Sequence, residues 1–330
     1  MFKRNAVIVI AALLPVLSAC HDVTEYSGTP EAGLTFLDPV TLEVEGSLSG
    51  VEGAVSICAT GMNTFCVASS EGVLYLYDAV AMELDTSFVI GGQSSAGYGS
   101  MVYVPWKSSI YVIGTPGSII EVGIPGGVIR DVLTSVNGPA SLVCNRTHSF
   151  MYVENPTTNS VFRISTSTNT VFRVYEFGRT PAGVICGTTG DDTLLVTTND
   201  PQNIAYVQPA DFVYTRQVCF SPVVDMERSI DHYGLIYAAR NHDTTEGALM
   251  VVDSLFPFSI YPAAFFSGEP RALQNHTDGL HLFIMSVIRN GSFRIHCYHQ
   301  DFETIVKSVD LPGYPVDMTS AGDRLVVLSY

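Results

Sequence analysis

The chain has 330 residues, of which 47% are hydrophobic and 15% are charged, a composition too apolar for an intrinsically disordered protein. Its length suits one large domain or two ordinary ones. Asp and Glu number 32 against 16 Lys and Arg, so the formal net charge is −16. A surface this acidic repels phosphate backbones, which argues against nucleic acid as a partner.

The first twenty residues have the pattern of an export signal. Lys3 and Arg4 are followed by an apolar run of 14 residues from Ala6 to Ala19. Such a run is too short to span a hydrocarbon core of about 30 Å, whereas a basic start and a short apolar segment are typical of a cleaved secretory peptide.

The end of this signal, Leu17-Ser18-Ala19-Cys20, resembles the lipobox of bacterial lipoproteins. The resemblance implies that residues 1–19 are cleaved off, that Cys20 carries acyl chains, and that residues 20–32 form a lipidated tether. In the enterobacterial sorting pattern, His21 favours the outer membrane, and the side of the membrane that the protein occupies stays open. An ordinary signal peptide with an incidental cysteine is the alternative.

A strand–turn–strand unit recurs along the rest of the chain. Three copies enter their turn at a cysteine: CATGMNTFCVASS at Cys58, CNRTHSFMYVEN at Cys144 and CGTTGDDTLLVTTN at Cys186. Weaker copies further along turn at Gly and Asp residues, which tolerate the positive φ of hairpin turns. Gly- or Pro-containing marks precede most copies at a spacing of roughly 40 to 50 residues.

A second predicted hairpin lies between successive marks, as in SVFRISTSTNTVFRVYEFG, where apolar and polar residues alternate. Four short strands per unit of this length are typical of a propeller blade. The sequence therefore predicts an all-β, seven-bladed β-propeller over residues 33–330. Six blades are predicted to begin near residues 53, 97, 139, 181, 222 and 270. The last blade is closed by pairing an N-terminal hairpin (about 33–49) with a C-terminal hairpin (about 314–330), which removes free sheet edges.

Two stretches carry a resemblance to a known repeat. TPAGVICGTTGDDTLLVTTN (180–199) and GPASLVCNRTHSFMYVEN (138–155) are similar to the YVTN type of WD-like β-propeller repeat. In that repeat, P-x-G leads an inner strand and YV-x-N marks the second strand. The resemblance extends weakly over residues 33–330, since other units carry YAARN or FIMSV in place of the second-strand motif. It implies a propeller of stacked blades.

The cysteines of the repeat are interpreted as packing residues. Cys58, Cys144 and Cys186 occupy the same place at the end of a predicted inner strand, and cysteine is among the most buried residue types. No catalytic residue is assigned. Cys58 and Cys66 lie symmetrically about the turn at Met62 and are candidates for a cross-strand disulfide in an exported protein. A plain apolar site at Cys66 is the alternative.

The candidate ligand site lies where inner strands enter the ring. Asp225 and Asp317 hold comparable inner-strand positions, and Arg179 and Arg271 lie close by at strand entrances. Polar residues that converge on a channel mouth form a ligand site, and two carboxylates there are candidates for holding a cation or for acid–base catalysis. Solvated channel lining is the alternative.

The sequence contains no complete motif for a cofactor, a metal or a nucleophile. There is no P-loop, no G-x-S-x-G elbow and no H-E-x-x-H. No cofactor is therefore predicted, and no metal ligands are assigned. His276 and His281 flank one predicted turn and are interpreted as surface or hairpin residues.

These observations predict a lipid-anchored cell-envelope β-propeller that acts as a non-catalytic binding or assembly scaffold. Its expected partners are the membrane, through the acyl chains on Cys20, and a protein or another envelope component. The alternative is a propeller enzyme of the lactonase or lyase type with its site at the central channel mouth. Those families place metal ligands or acid–base pairs on inner strands, where a search for local motifs would miss them.

Overall fold

The computed structural model describes residues 31–90, 101–114, 118–133, 138–186, 194–198, 203–208, 213–218, 223–228, 235–240, 246–252, 260–288, 292–301 and 303–330. The predicted signal peptide, Cys20 and most of the predicted tether lie outside these residues. Within the described ranges, the secondary structure consists of β-strands and two three-residue 3-10 helices, η1 (Pro105–Lys107) and η2 (Pro156–Thr158).

The strands are short, between four and nine residues. The first fourteen are β1 (Glu31–Leu37), β2 (Val44–Glu52), β3 (Ala54–Ala59), β4 (Thr64–Ser69), β5 (Val73–Asp78), β6 (Glu83–Val89), β7 (Met101–Val104), β8 (Ser109–Gly114), β9 (Ser118–Gly123), β10 (Ile129–Leu133), β11 (Ser141–Cys144), β12 (Phe150–Asn155), β13 (Ser160–Ser165) and β14 (Thr170–Glu176). The others are β15 (Pro181–Cys186), β16 (Leu194–Thr198), β17 (Asn203–Gln208), β18 (Val213–Val218), β19 (Val223–Arg228), β20 (Leu235–Arg240), β21 (Glu246–Val252), β22 (Ile260–Ser267), β23 (Glu269–Asn275), β24 (His281–Ile288), β25 (Ser292–His299), β26 (Thr304–Pro312), β27 (Pro315–Ala321) and β28 (Arg324–Ser329).

Side-chain alternation and turn chemistry define these strands locally. In β1, Ala32, Leu34 and Phe36 are buried while Gly33 and Thr35 between them are only half-buried, as the period of two requires. Asp38 follows the last residue of β1, and its Oδ1 accepts hydrogen bonds from the amides of Val40 (2.9 Å) and Thr41 (2.6 Å). Aspartate side chains cap turns in this way because they satisfy backbone N–H groups that the strand has left unpaired.

The described strands form seven four-stranded antiparallel sheets. Six of these sheets each take four consecutive strands, beginning with β3, β7, β11, β15, β19 and β23. The remaining sheet has the order β2-β1-β28-β27, so it contains both ends of the described chain. Gly33 pairs with Ser329, and Leu37 pairs with Leu325. The N- and C-terminal hairpins therefore share one sheet, as the sequence predicts.

The innermost strand of each sheet contacts the innermost strand of the next. The order is β3, β7, β11, β15, β19, β23 and β27, and β27 contacts β3 again. This closed ring of antiparallel sheets confirms the predicted all-β propeller fold. Closure matters because each blade of a propeller buries its faces only against its neighbours.

The hydrophobic core lies between neighbouring sheets. Phe36 of β1 packs edge-on against Phe65 of β4 with ring centroids 6.0 Å apart, and Phe65 stacks on Tyr77 of β5 at 5.2 Å. On the other side of the shared sheet, Met318 of β27 packs in one cluster with Phe293 of β25. The sheet that joins the two ends of the chain is thus packed on both faces.

The ring has two faces, which we name by the ends of the innermost strands. The entrance face is where these strands begin, and the turn face is where they end. Gly33 of β1 and Pro315 of β27 both pair with Ser329, so the first described strand begins on the entrance face. The hairpin from Asn275 at the end of β23 to His281 at the start of β24 lies on the turn face.

Candidate functional site

Asp225, the first carboxylate of the predicted ligand site, lies in β19 and contacts the next blade. Its Oδ2 accepts a hydrogen bond from the backbone amide of Leu273 in β23 (2.6 Å), and its Oδ1 accepts one from the amide of Met226 (2.8 Å). The side chain is half-buried. Asp225 therefore joins two neighbouring innermost strands.

Asp317 repeats this arrangement where the ring closes. Its Oδ2 accepts hydrogen bonds from the amide of Ile57 in β3 (3.0 Å) and from the hydroxyl of Ser56 (3.3 Å), and its Oδ1 accepts one from the amide of Met318 (2.8 Å). The side chain is fully buried. Asp317 joins the sheet that contains the C-terminus to the first complete sheet of the chain.

A second hydrogen-bond acceptor follows two residues later on each of these strands. Glu227 accepts a hydrogen bond from the side-chain amide of Asn275 (2.9 Å), and Thr319 accepts one from the backbone amide of Ala59 (3.1 Å). Residues i and i+2 share one face of a strand. Each strand thus presents a pair of acceptors to the following innermost strand, and we call these two pairs the inter-blade acceptors.

Burial dominates the electrostatics of both aspartates. It raises the pKa of Asp317 to about 7, although three hydrogen bonds to the carboxylate oppose the change. It also raises the pKa of Asp225 well above its usual range, and the nearby negative charges of Glu227 and Asp317 act in the same direction. A carboxylate taken out of water favours its neutral form unless donors or cations compensate fully.

The structure corrects the predicted position of Asp317. It is enclosed between β27 and β3 instead of facing the solvent of a channel mouth, because its oxygens satisfy backbone N–H groups of the adjacent strand. Arg271 is exposed and donates a hydrogen bond to the hydroxyl of Tyr314 (2.8 Å), and Arg179 lies half-buried just before β15. A ligand role for these four residues stays a prediction, and the contacts of the two aspartates account for both of them structurally.

The sequence contains a signal for the inter-blade acceptors. The segments VDME (224–227) and VDMT (316–319) both place a second acceptor two residues after the aspartate. A ligand site has no need to repeat this spacing in two separate repeats, whereas a contact that runs along a neighbouring strand does. The repeated pair was therefore a better indicator of a strand-to-strand contact than of a binding site.

The repeat cysteines pack in the core between sheets, as predicted. Cys144 and Cys186 are the last residues of β11 and β15 and are buried. Cys58 and Cys66 are register partners in β3 and β4, and both are free thiols in the structure, so a disulfide between them stays a prediction. Burial raises the pKa of Cys58 to about 12 and that of Cys66 well above its usual range, which disfavours the reactive thiolate.

A buried polar cluster joins another pair of blades. The ammonium group of Lys107 donates hydrogen bonds to Glu121 (3.0 Å), to the hydroxyl of Tyr111 (2.8 Å) and to the side-chain oxygen of Asn169 (3.1 Å). Glu121 is 4% exposed at its side chain and Lys107 is 15% exposed. The cluster connects the sheet that begins with β7 to the turn between β13 and β14, so its role is also structural.

Comparison with known proteins finds likeness in structure only. No protein-family model matches the chain, and no curated protein matches it. Hydrazine synthase of Kuenenia stuttgartiensis has a TM-score of 0.68 at 12% identity, covering 82% of this chain and 90% of that chain. The β-propeller domain of Cps50 (Swd1) from Myceliophteria thermophila has a TM-score of 0.65 at 8% identity, covering 84% of this chain and 96% of that one.

A third solved structure, dihydro-heme d1 dehydrogenase NirN in complex with DHE, has a TM-score of 0.62 at 12% identity and covers 85% of this chain and 71% of that chain. Likeness at such low identity shows the fold alone. The class of protein is thus a β-propeller. None of the helices in the described part of the chain has the length and hydropathy of a membrane span.

Proposed function

We propose that the protein is a lipid-anchored cell-envelope β-propeller that binds a protein or another envelope component and catalyses no reaction itself. One observation carries the proposal: the carboxylates that were the best candidates for chemistry, Asp225 and Asp317, accept hydrogen bonds from the backbone of neighbouring blades. Because these oxygens bond one blade to the next, they stabilise the ring and are not free for chemistry. The outer surface of the ring then remains as the surface for recognition.

The outermost strands supply apolar surface for such recognition. On β14, which is the outer edge of its sheet, Phe172 is 64% exposed, Val174 is 42% exposed and Val171 is 39% exposed. The guanidinium of Arg163 lies 5.2 Å from the Phe172 ring and 3.7 Å from that of Phe150, which holds the aromatic side chains in place. Exposed apolar residues on a free strand edge favour pairing with another chain.

The proposed anchor at Cys20 would limit the distance between the entrance face and the lipid. β1 begins at Glu31, eleven residues after Cys20 in the sequence. An extended chain spans at most about 3.5 Å per residue, so the tether would hold the entrance face within about 40 Å of the lipid.

Binding through β14 is tested by copurification from detergent-solubilised membranes after chemical cross-linking. The double variant Phe172→Ser/Val174→Ser should lose a partner that the unchanged protein retains. Val89→Ser is the matched control, because Val89 is 77% exposed on the outermost strand β6 of another blade. Recovery of the unchanged protein alone at every salt concentration would overturn the scaffold proposal.

The anchor has a separate test. Cys20→Ser should move the protein from the membrane fraction to the soluble fraction of lysed cells, since acylation at that thiol would be lost. Retention of the variant in the membrane fraction would contradict the anchor without affecting the scaffold proposal.

The enzyme alternative requires a specific arrangement of side chains. It needs at least three carboxylate, histidine or amide side chains within metal-ligand reach of one another at the channel mouth. Asp225 and Asp317 do not favour it, since both already accept hydrogen bonds from neighbouring strands. Turnover of a lactone or a polysaccharide that is abolished by Asp225→Asn, with folding retained, would support the enzyme instead.

A further inference from the structure

The hairpin between β23 and β24, on the turn face, brings two histidines and an aspartate together. Its sequence is HTDGLH, residues 276–281. The backbone amide of His276 donates to the carbonyl of His281 (2.9 Å), which fixes the two histidines opposite each other. Gly279 has φ of +73°, a conformation that glycine adopts without strain and that allows the tight turn.

Asp278 divides its two oxygens between the turn and the imidazoles. Its Oδ1 accepts hydrogen bonds from the amides of Leu280 (2.8 Å) and His281 (3.1 Å), so the backbone orients the carboxylate. Its Oδ2 lies 3.1 Å from Nδ1 of His276 and 2.6 Å from Nδ1 of His281. Two lone pairs at these separations repel, so each pair of atoms must share a proton or a cation.

The spacing of the three atoms suits a metal ion. One ligand atom from each of His276, Asp278 and His281 lies within 4.8 Å of the other two. For tetrahedral ligands at about 2.0–2.1 Å from zinc, neighbouring donor atoms are about 3.4 Å apart. The separations of Asp278 Oδ2 from the two Nδ1 atoms, 3.1 Å and 2.6 Å, are shorter than this value, so side-chain rotations that widen them by about 0.3 Å and 0.8 Å would admit an ion. Two imidazoles and one carboxylate are a donor set that divalent first-row transition ions accept.

Neighbouring rings hold the two imidazoles in place. The ring of Phe283 packs edge-on against His276 at 5.9 Å, and the ring of His299 packs edge-on against His281 at 5.0 Å. His281 and His299 are also register partners in β24 and β25. Packing of this kind restricts rotamers, which reduces the entropy that is lost when a ligand binds.

The other ring nitrogen of His276, Nε2, is buried. The residue is 9% exposed, and in the described part of the chain no hydrogen-bond partner lies within reach of its Nε2. A buried polar atom without a partner is costly, so the hairpin retains an unfavourable side chain. A cation on Nδ1 would leave the ring proton on Nε2, so this cost is separate from the case for a metal ligand at Nδ1.

We propose that His276, Asp278 and His281 form a binding site for a divalent transition ion of the zinc type, with two imidazole Nδ1 atoms and Oδ2 of the carboxylate as protein ligands. Three protein ligands leave at least one coordination position open to water or to a ligand atom from a partner. The side chain of Asp278 is 31% exposed, so this open position faces solvent on the turn face.

The test is a titration of the full chain, in detergent and after removal of metals by a chelator, with zinc(II) followed by calorimetry. The unchanged protein should bind one ion. Asp278→Asn should weaken binding by at least about 100-fold, since loss of even an outer-shell group costs up to about that factor. Asn retains a carbonyl oxygen for the turn amides, so this variant separates the ligand role from folding.

A second variant and a control complete the experiment. His281→Gln should weaken binding as strongly, whereas His148→Asn, at the turn between β11 and β12, should bind as the unchanged protein does. Cobalt(II) absorption gives an independent readout. Nitrogen and oxygen ligands produce no thiolate-to-metal charge-transfer band, so the absence of that band excludes the buried cysteines as ligands. Absence of stoichiometric binding in the unchanged protein, or equal binding in Asp278→Asn, would overturn the proposal.

Discussion

The fully buried Asp317 makes the stability of the ring depend on pH. Its pKa is about 7 in the folded protein because of burial, against an ordinary value of 3.8. The folded state therefore binds the proton more tightly than the unfolded chain. The contribution of Asp317 to the free energy of unfolding should be greatest below about pH 4 and should be lost as the pH rises through 7, because ionisation of this carboxyl is penalised only in the folded protein.

The magnitude follows from the gap between the two pKa values. The gap is about three pH units, and each unit corresponds to about 1.4 kcal/mol. Between pH 4 and pH 8, Asp317 should therefore remove about 4 kcal/mol from the free energy of unfolding. A change of that size is a large part of the total stability of a typical domain.

The assay is urea denaturation at several pH values between 4 and 8, comparing the unchanged protein with Asp317→Asn. The variant keeps an oxygen that can accept from the Ile57 amide, but it has no proton to lose. Its stability relative to the unchanged protein should increase by about 4 kcal/mol over this range. Asp225, whose pKa is raised mainly by burial, is present in both proteins. Because the charge of Asp317 also raises the pKa of Asp225, the difference contains a smaller contribution from Asp225.

The control is Asp323→Asn, at an exposed position in the turn between β27 and β28. It should follow the pH dependence of the unchanged protein. Parallel curves for Asp317→Asn and the unchanged protein would refute the reasoning, since they would mean that this carboxyl titrates alike in the folded and unfolded states.

Three further outcomes are expected. Leu328→Ala should lower the free energy of unfolding by about 3 kcal/mol, because Leu328 is fully buried in the shared sheet. The control Met62→Ala, at an 87% exposed position, should change it by less than about 0.5 kcal/mol. Lys107→Met should cost about 2 kcal/mol in the same assay, since it leaves the buried carboxylate of Glu121 without its cation. Cys66 should resist iodoacetamide until urea unfolds the protein, because burial raises its pKa; rapid labelling of the native protein would contradict this.

The propeller architecture could be predicted from the sequence because its signals are local. The predicted blade starts near residues 53, 97, 139, 181, 222 and 270 lie within about four residues of the first residues of β3, β7, β11, β15, β19 and β23. Alternation of apolar side chains, Gly and Asp at turns and a constant spacing between repeats each act over a few residues. The packing role of the cysteines followed from the same register.

The candidate sites needed the tertiary structure, because their partners are distant in the chain. The amide that Asp225 binds is 48 positions away, and the one that Asp317 binds is 260 positions away. Closure of the ring brings these groups together, and no local pattern reveals which donor lies opposite a given carboxylate. The candidate metal site on the turn face also depends on the folded structure. The sequence showed two histidines beside a turn, whereas the distances that make them ligands depend on how the hairpin orients Asp278 and on how the neighbouring strand packs against it.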